Sequence, residues 1–519
     1  MFVLANLFEQ THRFLNILPM KNFILFLCLL ASSVAYCQQQ ATEQWRPYFH
    51  FSPAQNWTND PNGLVYHEGE WHIFYQHNPF ENKWGHMSWG HAVSKDLVNW
   101  EHLPVAIPED SAWIFSGGVV VDKNNTSGFG ANSMIAIYTA DYHGKKENQQ
   151  LAYSTDKGRT WTKYKNNPII PKPLPNGKEM KDFRDPNMFW HESSKQWIMV
   201  VALPTEFKVH IYGSKNLINW TFLSEFGKQG DFTKIWECPS LIELPVEGSQ
   251  TSKWVLFISS SNPNPDFVGM QYFVGNFDGK TFSNDNPADT KLFVDYGKDF
   301  YAAIPFSNAP KKTILGWMAS WQYTDALPTF PWKGQMSIPR EISLKKTQAG
   351  LRLIQRPAEE VLKAKNWKGI VQMEEMGIEE DNSMMWRNQT SSYMIDVEFE
   401  LGGAREVGVK VMKNLTTNQE TLVGYQKDSE QLYINRINSG KIISPNFASM
   451  DASPLKLERG TVRLLIFVDQ SSIEVFGNDG EAVVTSLIFP ENNSANWQLF
   501  SRDGRVKVTK LKVWEWQKD

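Results

Sequence analysis

Short runs of alternating hydrophobic and polar residues dominate the chain from about residue 45 to 355, and no long stretch keeps an apolar period of 3.6 residues. The clearest runs lie at 64–66, 71–75, 134–138, 197–202, 254–258 and 313–317. An alternation with period two, bounded by turn residues, is typical of half-buried β-strands. The pattern therefore predicts an all-β fold for this part of the chain.

A repeated motif divides these strands into units. The stretches 94–100, 154–161 and 214–220 resemble one another, and 276–282 is a weaker copy. Their closing aromatic residues, Trp100, Trp161, Trp220 and Phe282, are spaced 61, 59 and 62 residues apart. A period near 60 with about four strands per unit is what a β-propeller blade would give.

A second series of five turn-like motifs runs between these copies. The motifs are N-D-P at 59–61, F-S-G at 115–117, R-D-P at 184–186, E-C-P at 237–239 and F-Y-A at 300–302. Any one of them is consistent with ordinary turn chemistry. Five in phase predict five blades, with each motif at the start of an innermost strand and at the same end of the central channel. Residues that are distant in sequence would then converge on one pocket.

Alternating runs continue from about residue 370, at 392–399, 407–411, 431–434, 462–468, 472–476 and 506–513. The tight turn F-G-N-D-G at 476–480 joins two of them. This part is typical of a β-sandwich of about 150 residues. We therefore expect a propeller over 45–355, a linker over 356–369 and a sandwich over 370–519.

The first residues have the features of a secretory signal. Lys21 precedes an apolar run at 23–31, small residues follow, and a polar Gln stretch begins at Gln38. The apolar run is too short to span a bilayer comfortably. We expect a signal peptide over 1–37, with Met20 as the true start and cleavage after Cys37. The alternative is lipidation of Cys37, so the protein would be exported to the periplasm, the exterior or the cell surface.

Composition excludes several classes of function. The 56 acidic residues outnumber the 52 basic ones, the formal net charge is −4, and no basic run suggests a nucleic acid or an anionic membrane as partner. Three cysteines are too few for a disulfide scaffold or a zinc ribbon. By contrast, 21 Trp, 16 Tyr and 32 Phe favour aromatic-lined surfaces that suit sugars.

Several familiar catalytic and cofactor-binding motifs are missing from the sequence. It has no phosphate loop, no G-x-S-x-G elbow and no H-E-x-x-H. Five histidines cluster in sequence without carboxylates or cysteines at ligand spacing, at His67, His72, His77, His86 and His91. We therefore expect neither a metal nor an organic cofactor.

Three acids lie within the turn-like motifs: Asp60, Asp185 and Glu237. Cleavage of a glycosidic bond needs two carboxyl groups, one ionised and one protonated, and a third could hold hydroxyl groups and stabilise positive charge. Tryptophans that could surround them are Trp57, Trp84, Trp89 and Trp321. Each acid could equally cap a turn or pair with a base such as Arg184. Composition and spacing alone leave a glycosidase and a sugar-binding propeller equally open.

The motif W-T-N-D-P-N-G at 57–63 resembles the W-M-N-D-P-N-G signature of glycoside hydrolase family 32, which includes invertases, inulinases and levanases. Further matching motifs follow in the family's order, at 75–79, 84–91, 115–117, 183–186, 236–239, 299–303, 316–321, 328–332, 338–341 and 467–476. The resemblance covers essentially the mature chain. It implies a five-bladed β-propeller followed by a β-sandwich.

The resemblance also implies roles for individual residues. Asp60 would be the nucleophile, Glu237 the acid/base and Asp185 the stabiliser of the transition state. The positions that match the family's fructosyl pocket are Trp57, Asn59, Gln76, Trp84, Phe115, Ser116, Arg184 and Trp321. Two residues depart from the family's pattern: Thr58 replaces a methionine and Gly118 replaces a serine.

The function so implied is that of an exported fructan hydrolase. It would release fructose from the non-reducing end of levan, inulin or sucrose by a retaining double displacement, and we expect a monomer without a cofactor. Three alternatives remain at this point. They are fructosyl transfer at the same site, endo-cleavage in an open cleft, and a non-catalytic fructan-binding protein.

Overall fold

The computed structural model describes residues 43–175, 177–264, 266–379, 385–491 and 494–518. The predicted signal peptide and Cys37 lie outside these ranges. Within them the chain forms five consecutive sheets of four or five strands, followed by two larger sheets. No helix in the same ranges is long and apolar enough to cross a membrane. The predicted all-β fold, a five-bladed propeller followed by a sandwich, is confirmed.

Each of the first three blades is an antiparallel sheet of four consecutive strands. Blade 1 contains β1 (Asn56–His67), β2 (Glu70–Asn78), β3 (Ser88–Ser94) and β4 (Trp100–Ile107). Blade 2 contains β5 (Trp113–Asp122), β6 (Ser133–Asp141), β7 (Glu147–Ser154) and β8 (Thr162–Lys163). Blade 3 contains β9 (Arg184–His191), β10 (Gln196–Leu203), β11 (Lys208–Ser214) and β12 (Thr221–Gly227).

The last two blades complete the ring. Blade 4 contains β13 (Glu237–Pro245), β14 (Ser252–Ser261), β15 (Val268–Phe277) and β16 (Phe282–Asn284). Blade 5 contains β17 (Tyr301–Pro305), β18 (Thr313–Met318), β20 (Gln335–Met336), β21 (Arg340–Thr347) and β22 (Gly350–Pro357), and β19 (Trp332–Lys333) lies in the chain between β18 and β20. Strand β19 leaves blade 5 and pairs in parallel with β1, so the end of the propeller is tied to its beginning.

The repeated motif forms the turn between the third and fourth strands of a blade. In blade 1, Asp96 Oδ1 accepts hydrogen bonds from the backbone N–H groups of Val98 and Asn99, at 3.0 and 2.7 Å. Asp156, Asn216 and Asp278 accept equivalent bonds in blades 2, 3 and 4. Carboxylates and amides that bond their own backbone in this way favour turns. The period near 60 residues is therefore the length of a blade.

The innermost strand of each blade begins with a break in its pairing register. The breaks lie next to Pro61 in β1, Gly117 in β5, Arg184 in β9, Glu237 in β13 and Tyr301 in β17. A bulge interrupts the regular alternation of side chains and re-aims the residues beside it. The five motifs thus face one end of the channel.

Apolar side chains pack between neighbouring blades. Val120 and Ile137 of blade 2, for example, share a cluster with Met188 and Met199 of blade 3. Equivalent clusters join the other blades, and one of them continues into the sandwich. The position of each innermost strand is therefore set by its two neighbours.

A short helix, α1 (Glu359–Leu362), leads from the propeller into the sandwich. One sheet contains β23 (Trp367–Met373), β24 (Met376–Ile378), β26 (Tyr393–Glu400), β31 (Thr461–Asp469), β32 (Ser472–Gly477), β33 (Ala482–Leu487) and β35 (Val506–Trp516). The other contains β25 (Met385–Arg387), β27 (Glu406–Lys413), β28 (Thr421–Gln426), β29 (Gln431–Asn435), β30 (Met450–Pro454) and β34 (Asn496–Arg502). Their facing apolar side chains form one buried core.

Buried charges link the two domains. His50, just before blade 1, contacts Asp469 through Nδ1 at 2.8 Å and Glu474 through Nε2 at 2.9 Å. Burial alone would lower the pKa of His50, but the hydrogen bonds and charges of Asp469 and Glu474 outweigh it and raise the pKa to about 9. Arg340 of β21 pairs with the same Glu474 and with Asp295.

This link makes stability depend on pH. His50 binds its proton more tightly in the folded protein than in the unfolded chain. Its contribution to the free energy of unfolding is therefore fully present below pH 6.5 and is lost as the pH rises through about 9. The shift corresponds to on the order of 3 kcal/mol. We predict that His50→Gln lowers the melting temperature more at pH 6 than at pH 9.5, as measured by calorimetry. An equal decrease at both pH values would contradict this assignment.

Candidate active site

The three predicted acids meet at one end of the propeller channel. Asp60 lies on β1, Asp185 on β9 and Glu237 on β13, and all three line a cavity of about 760 Å³. Seven of the eight predicted pocket residues line the same cavity: Asn59, Gln76, Trp84, Phe115, Ser116, Arg184 and Trp321. The three acids thus come from three blades, and the other residues that line the cavity come from all five blades.

Asp60 is buried and held at both carboxylate oxygens. Ser116 Oγ donates to Asp60 Oδ2 at 2.7 Å, and Asn59 Nδ2 donates to Oδ1 at 3.1 Å. Burial raises the pKa of Asp60, and the nearby charge of Glu237 adds to this rise, whereas the bond from Ser116 opposes it. The carboxylate is therefore oriented but weakly solvated, which suits a group that reacts with carbon.

Glu237 is less buried and contacts two different groups. Its Oε1 accepts a hydrogen bond from Arg184 Nε at 3.1 Å, and its Oε2 accepts one from the Tyr301 hydroxyl at 2.6 Å. Tyr301 begins the innermost strand of blade 5. The side chain that could donate a proton is thus oriented from blades 3 and 5 at once.

The thiol of Cys238 lies between the carboxylates of Asp60 and Asp185. The Cys238 Sγ is 3.5 Å from Asp60 Oδ2 and 3.7 Å from Asp185 Oδ2, and the Cys238 N–H donates to Asp185 Oδ2 at 2.9 Å. Asp185 and Cys238 have positive φ angles, 63° and 46°, at the bulges that begin their strands. Burial raises the pKa of Asp185 to about 7, although the charge of Arg184 opposes this rise.

Arg184 supplies positive charge to this group of acids. Besides Glu237, its guanidinium contacts Glu147 at 2.8 Å and Asp182 at 3.1 Å through Nη1. Glu147 is 2% exposed, and burial raises its pKa to about 8 against the opposing charge of Arg184. The arginine is therefore held in place by acids on two sides.

Aromatic rings form the walls of the cavity. Trp84 is 43% exposed and packs against Trp113 and Phe115, with ring centroids 5.2 and 6.3 Å apart. Trp321, 39% exposed, stacks on Trp57 at 6.3 Å. An aromatic ring that keeps one face in solvent is suited to a sugar.

Trp57 is the predicted pocket residue that the structure does not place on the cavity surface. Its side chain is fully buried, and its Nε1 donates to Asn59 Oδ1 at 2.8 Å. It therefore supports Trp321 from behind and orients Asn59. Burial of this kind depends on packing between blades, which the motif does not encode.

The two departures from the family pattern make contacts outside the cavity that holds the acids. The Thr58 hydroxyl donates to the backbone oxygen of Gln76 at 3.0 Å, which ties β1 to β2. Gly118 lines a different cavity of about 330 Å³, together with Asn187 and Lys312. Neither residue lines the cavity that holds the acids.

Sequence reasoning missed several cavity residues. They are Trp113, Asp141, His143, Gly144, Glu147, Lys181, Asp182, Ile235 and Val268. Trp113 precedes Phe115 by two positions on one strand, so strand alternation could have identified it. Tyr301 belongs to the fifth motif but was given no role. Within the described ranges, no group of three His, Cys, Asp or Glu side chains is arranged to hold a metal ion.

Comparisons with known proteins agree with this fold. The chain is 46% identical over 510 residues to a levanase of Bacillus subtilis (strain 168), covering 95% of this chain and 73% of that protein. It is 36% identical over 537 residues to an extracellular exo-inulinase of Aspergillus awamori, covering 96% and 98%. A crystal structure of exo-inulinase from Aspergillus awamori superposes with a TM-score of 0.84 at 35% identity, over 91% of this chain and 98% of that one.

The family match extends over both domains. Residues 50–357 match the N-terminal domain of glycosyl hydrolases family 32, and residues 362–515 match the family's C-terminal domain. The first match ends with β22, and the second spans the sandwich. On this evidence the chain belongs to glycosyl hydrolase family 32.

Proposed function

We propose that the protein is an exo-acting β-fructosidase that releases fructose from the non-reducing ends of fructans such as levan and inulin, and from sucrose. The observation that carries this proposal is the arrangement of Asp60 and Glu237, two carboxyl groups with different burial and different partners in one cavity of about 760 Å³. The activities named for the relatives, levanase and exo-inulinase, support the same substrates.

The proposed reaction retains the configuration at the anomeric carbon. Asp60 attacks this carbon of the terminal fructosyl unit while Glu237 gives its proton to the leaving oxygen, and a fructosyl ester on Asp60 results. Glu237, now ionised, takes a proton from water, and the water oxygen displaces Asp60 to release fructose. The double displacement needs an oriented nucleophile, which the bonds from Ser116 and Asn59 provide.

Asp185 and Arg184 are proposed to act without forming a covalent bond to the sugar. Both line the cavity, and Asp185 lies next to Asp60 across the Cys238 thiol. A carboxylate at this place can accept hydrogen bonds from sugar hydroxyls and stabilise the positive charge that develops on the ring. Arg184 keeps the neighbouring acids from repelling one another.

The walls of the cavity favour exo-cleavage. Trp321 belongs to blade 5, Trp84 to blade 1 and Phe115 to blade 2, so aromatic rings from three blades line the cavity. Endo-cleavage would need an open cleft that a chain can cross. A binding protein would have no use for two buried acids, Asp60 and Asp185, beside the less buried Glu237, because such an arrangement is energetically costly. We therefore favour hydrolysis of single terminal units.

We propose that the protein acts outside the cytoplasm. The relative from Aspergillus awamori is named extracellular, and the sequence begins with the features of a secretory signal. Cleavage after Cys37 would give a free periplasmic or extracellular enzyme, whereas lipidation of Cys37 would hold it at the cell surface. We further propose a monomer, because one chain supplies every group in the site.

The proton-donor role of Glu237 predicts a dependence on the leaving group. Glu237→Gln should lower kcat/KM for sucrose by ~10²–10⁴-fold, because general acid catalysis is lost. The loss should be much smaller for an aryl fructoside or a fructosyl fluoride, whose leaving group needs no proton. Asp60→Asn, the matched control, should abolish activity on every substrate. Equal losses for Glu237→Gln on both kinds of substrate would contradict the assignment.

Exo-cleavage predicts the order in which products form. Free fructose should dominate from the first minutes of a digest of levan or inulin, while the polymer shortens slowly. Trp321→Ala should reduce turnover of sucrose as well as levan, because both present the same terminal ring to this wall. Chromatography of early time points measures both effects. An early ladder of fructo-oligosaccharides would instead indicate endo-cleavage.

The environment of Asp60 predicts the acid limb of the pH–rate profile. Burial raises the pKa of Asp60, so the limb should lie above the ordinary range of an aspartate. Ser116 donates to the ionised carboxylate and lowers this pKa. Ser116→Ala should therefore move the acid limb to still higher pH, as measured by kcat/KM for sucrose. An unmoved or lowered limb would show that another group sets it.

A further inference from the structure

A buried arginine of the sandwich lies at the interface with blade 5. Arg436, which directly follows β29, has no exposed surface. Its Nη1 donates to Asp299 Oδ2 at 2.5 Å and to the backbone oxygen of Leu487 at 2.9 Å, and its Nη2 donates to the Tyr323 hydroxyl at 2.8 Å. We infer that Arg436 is a positioning residue for the active site, and that it holds both the proton donor and one aromatic wall from the neighbouring domain.

The first connection runs through Asp299 to the proton donor. Asp299 is fully buried and lies two residues before Tyr301. Its Oδ2 also accepts a hydrogen bond from the Leu487 N–H at 2.8 Å, so the sandwich fixes the point at which β17 begins. The Tyr301 hydroxyl donates to Glu237 Oε2 at 2.6 Å. A displacement of Asp299 therefore moves the bond that orients Glu237.

The second connection runs through Tyr323 to the wall of the cavity. The Tyr323 hydroxyl donates to Asp299 Oδ1 at 2.6 Å and accepts the bond from Arg436. The Tyr323 N–H donates to the Ser320 oxygen at 3.1 Å, which closes a tight turn around Trp321. Fixing the phenol ring of Tyr323 therefore fixes the turn that presents Trp321 to the sugar.

The chemistry of this contact suits positioning more than stabilisation. A guanidinium is planar and directs its donors in a fixed fork, so it can hold three acceptors at defined angles. A buried ion pair contributes little net stability, because loss of hydration offsets the attraction between the charges. The ring of Phe447, 4.2 Å from the guanidinium carbon, keeps the arginine in one plane. The arginine therefore contributes a fixed orientation of its partners more than net stability.

His50 offers a matched control. Like Arg436, it is a buried cation that joins the two domains, through Asp469 and Glu474. Its partners are both sandwich residues, and neither lines the cavity. His50→Gln should therefore weaken the interface without moving Glu237 or Trp321.

The test compares two substrates across four variants. For each of Arg436→Gln, Arg436→Lys, Tyr323→Phe and His50→Gln, kcat/KM is measured on sucrose and on an aryl fructoside, and the melting temperature is recorded. In Arg436→Gln the sucrose-to-aryl ratio of kcat/KM should fall about 10- to 100-fold, because a misplaced Glu237 donates its proton poorly. Arg436→Lys should show a smaller fall in the same direction, because lysine keeps the charge but not the fork.

The other two variants separate the two connections. Tyr323→Phe removes the hydroxyl that contacts Arg436 and Asp299 but keeps the Arg436–Asp299 pair, so it should lower kcat/KM on both substrates and change their ratio less than Arg436→Gln does. His50→Gln should lower the melting temperature and leave the ratio unchanged. If Arg436→Gln does not fold, Arg436→Lys and Tyr323→Phe decide the question. An unchanged ratio in the folded Arg436 variants, together with wild-type kcat/KM in Tyr323→Phe, would overturn the inference.

This inference rests on the proposed function, but the two fail differently. If the wild-type protein releases no fructose from sucrose or levan, the proposed function fails. If the wild-type protein is active and Glu237→Gln shows the expected dependence on the leaving group, while the folded Arg436 variants keep the wild-type ratio and Tyr323→Phe keeps the wild-type kcat/KM, only the positioning role of Arg436 fails.

Discussion

The candidate active site depends on burying several like charges around one guanidinium. Asp60, Asp185, Glu237 and Glu147 all line one cavity, and burial together with the charges of neighbouring acids raises the pKa of Asp60 and of Asp185. Arg184 contacts two of these acids directly and lies close to a third. Such an arrangement costs stability and is retained where chemistry requires groups in different protonation states. The propeller supplies the rigid frame that keeps these groups from moving apart.

The propeller holds these groups in place because the innermost strand of each blade begins at the same end of the channel. A bulge at the start of an innermost strand aims Asp185 and Glu237 inwards, and neighbouring blades clamp that strand on both sides. The sandwich also contacts this region, because Arg436 donates a hydrogen bond to Asp299, two residues before Tyr301. If Arg436 has the positioning role inferred above, the geometry of the candidate site depends on both domains.

Much of this arrangement could be predicted from the sequence because it is encoded locally. The turn residues Asp96, Asp156 and Asn216 recur at the blade period, and the motifs around Asp60 and Glu237 mark the innermost strands. Contacts between blades and between domains could not be predicted, because packing alone brings the partners together. Burial of Trp57 behind Trp321 and the bond from Tyr301 to Glu237 are of this kind. So is the pairing of Glu147 with Arg184.

The most direct test of the account is to identify the residue that carries the sugar during turnover. Glu237→Gln is mixed with an activated fructoside, the reaction is quenched in acid, and the peptides are mapped by mass spectrometry. The account predicts one fructosyl unit on the peptide that contains Asp60, attached through the side-chain carboxylate, and none in the Asp60→Asn form of the same variant. A fructosyl unit on Asp185, or turnover without any covalent adduct, would contradict the central claim that Asp60 is the nucleophile.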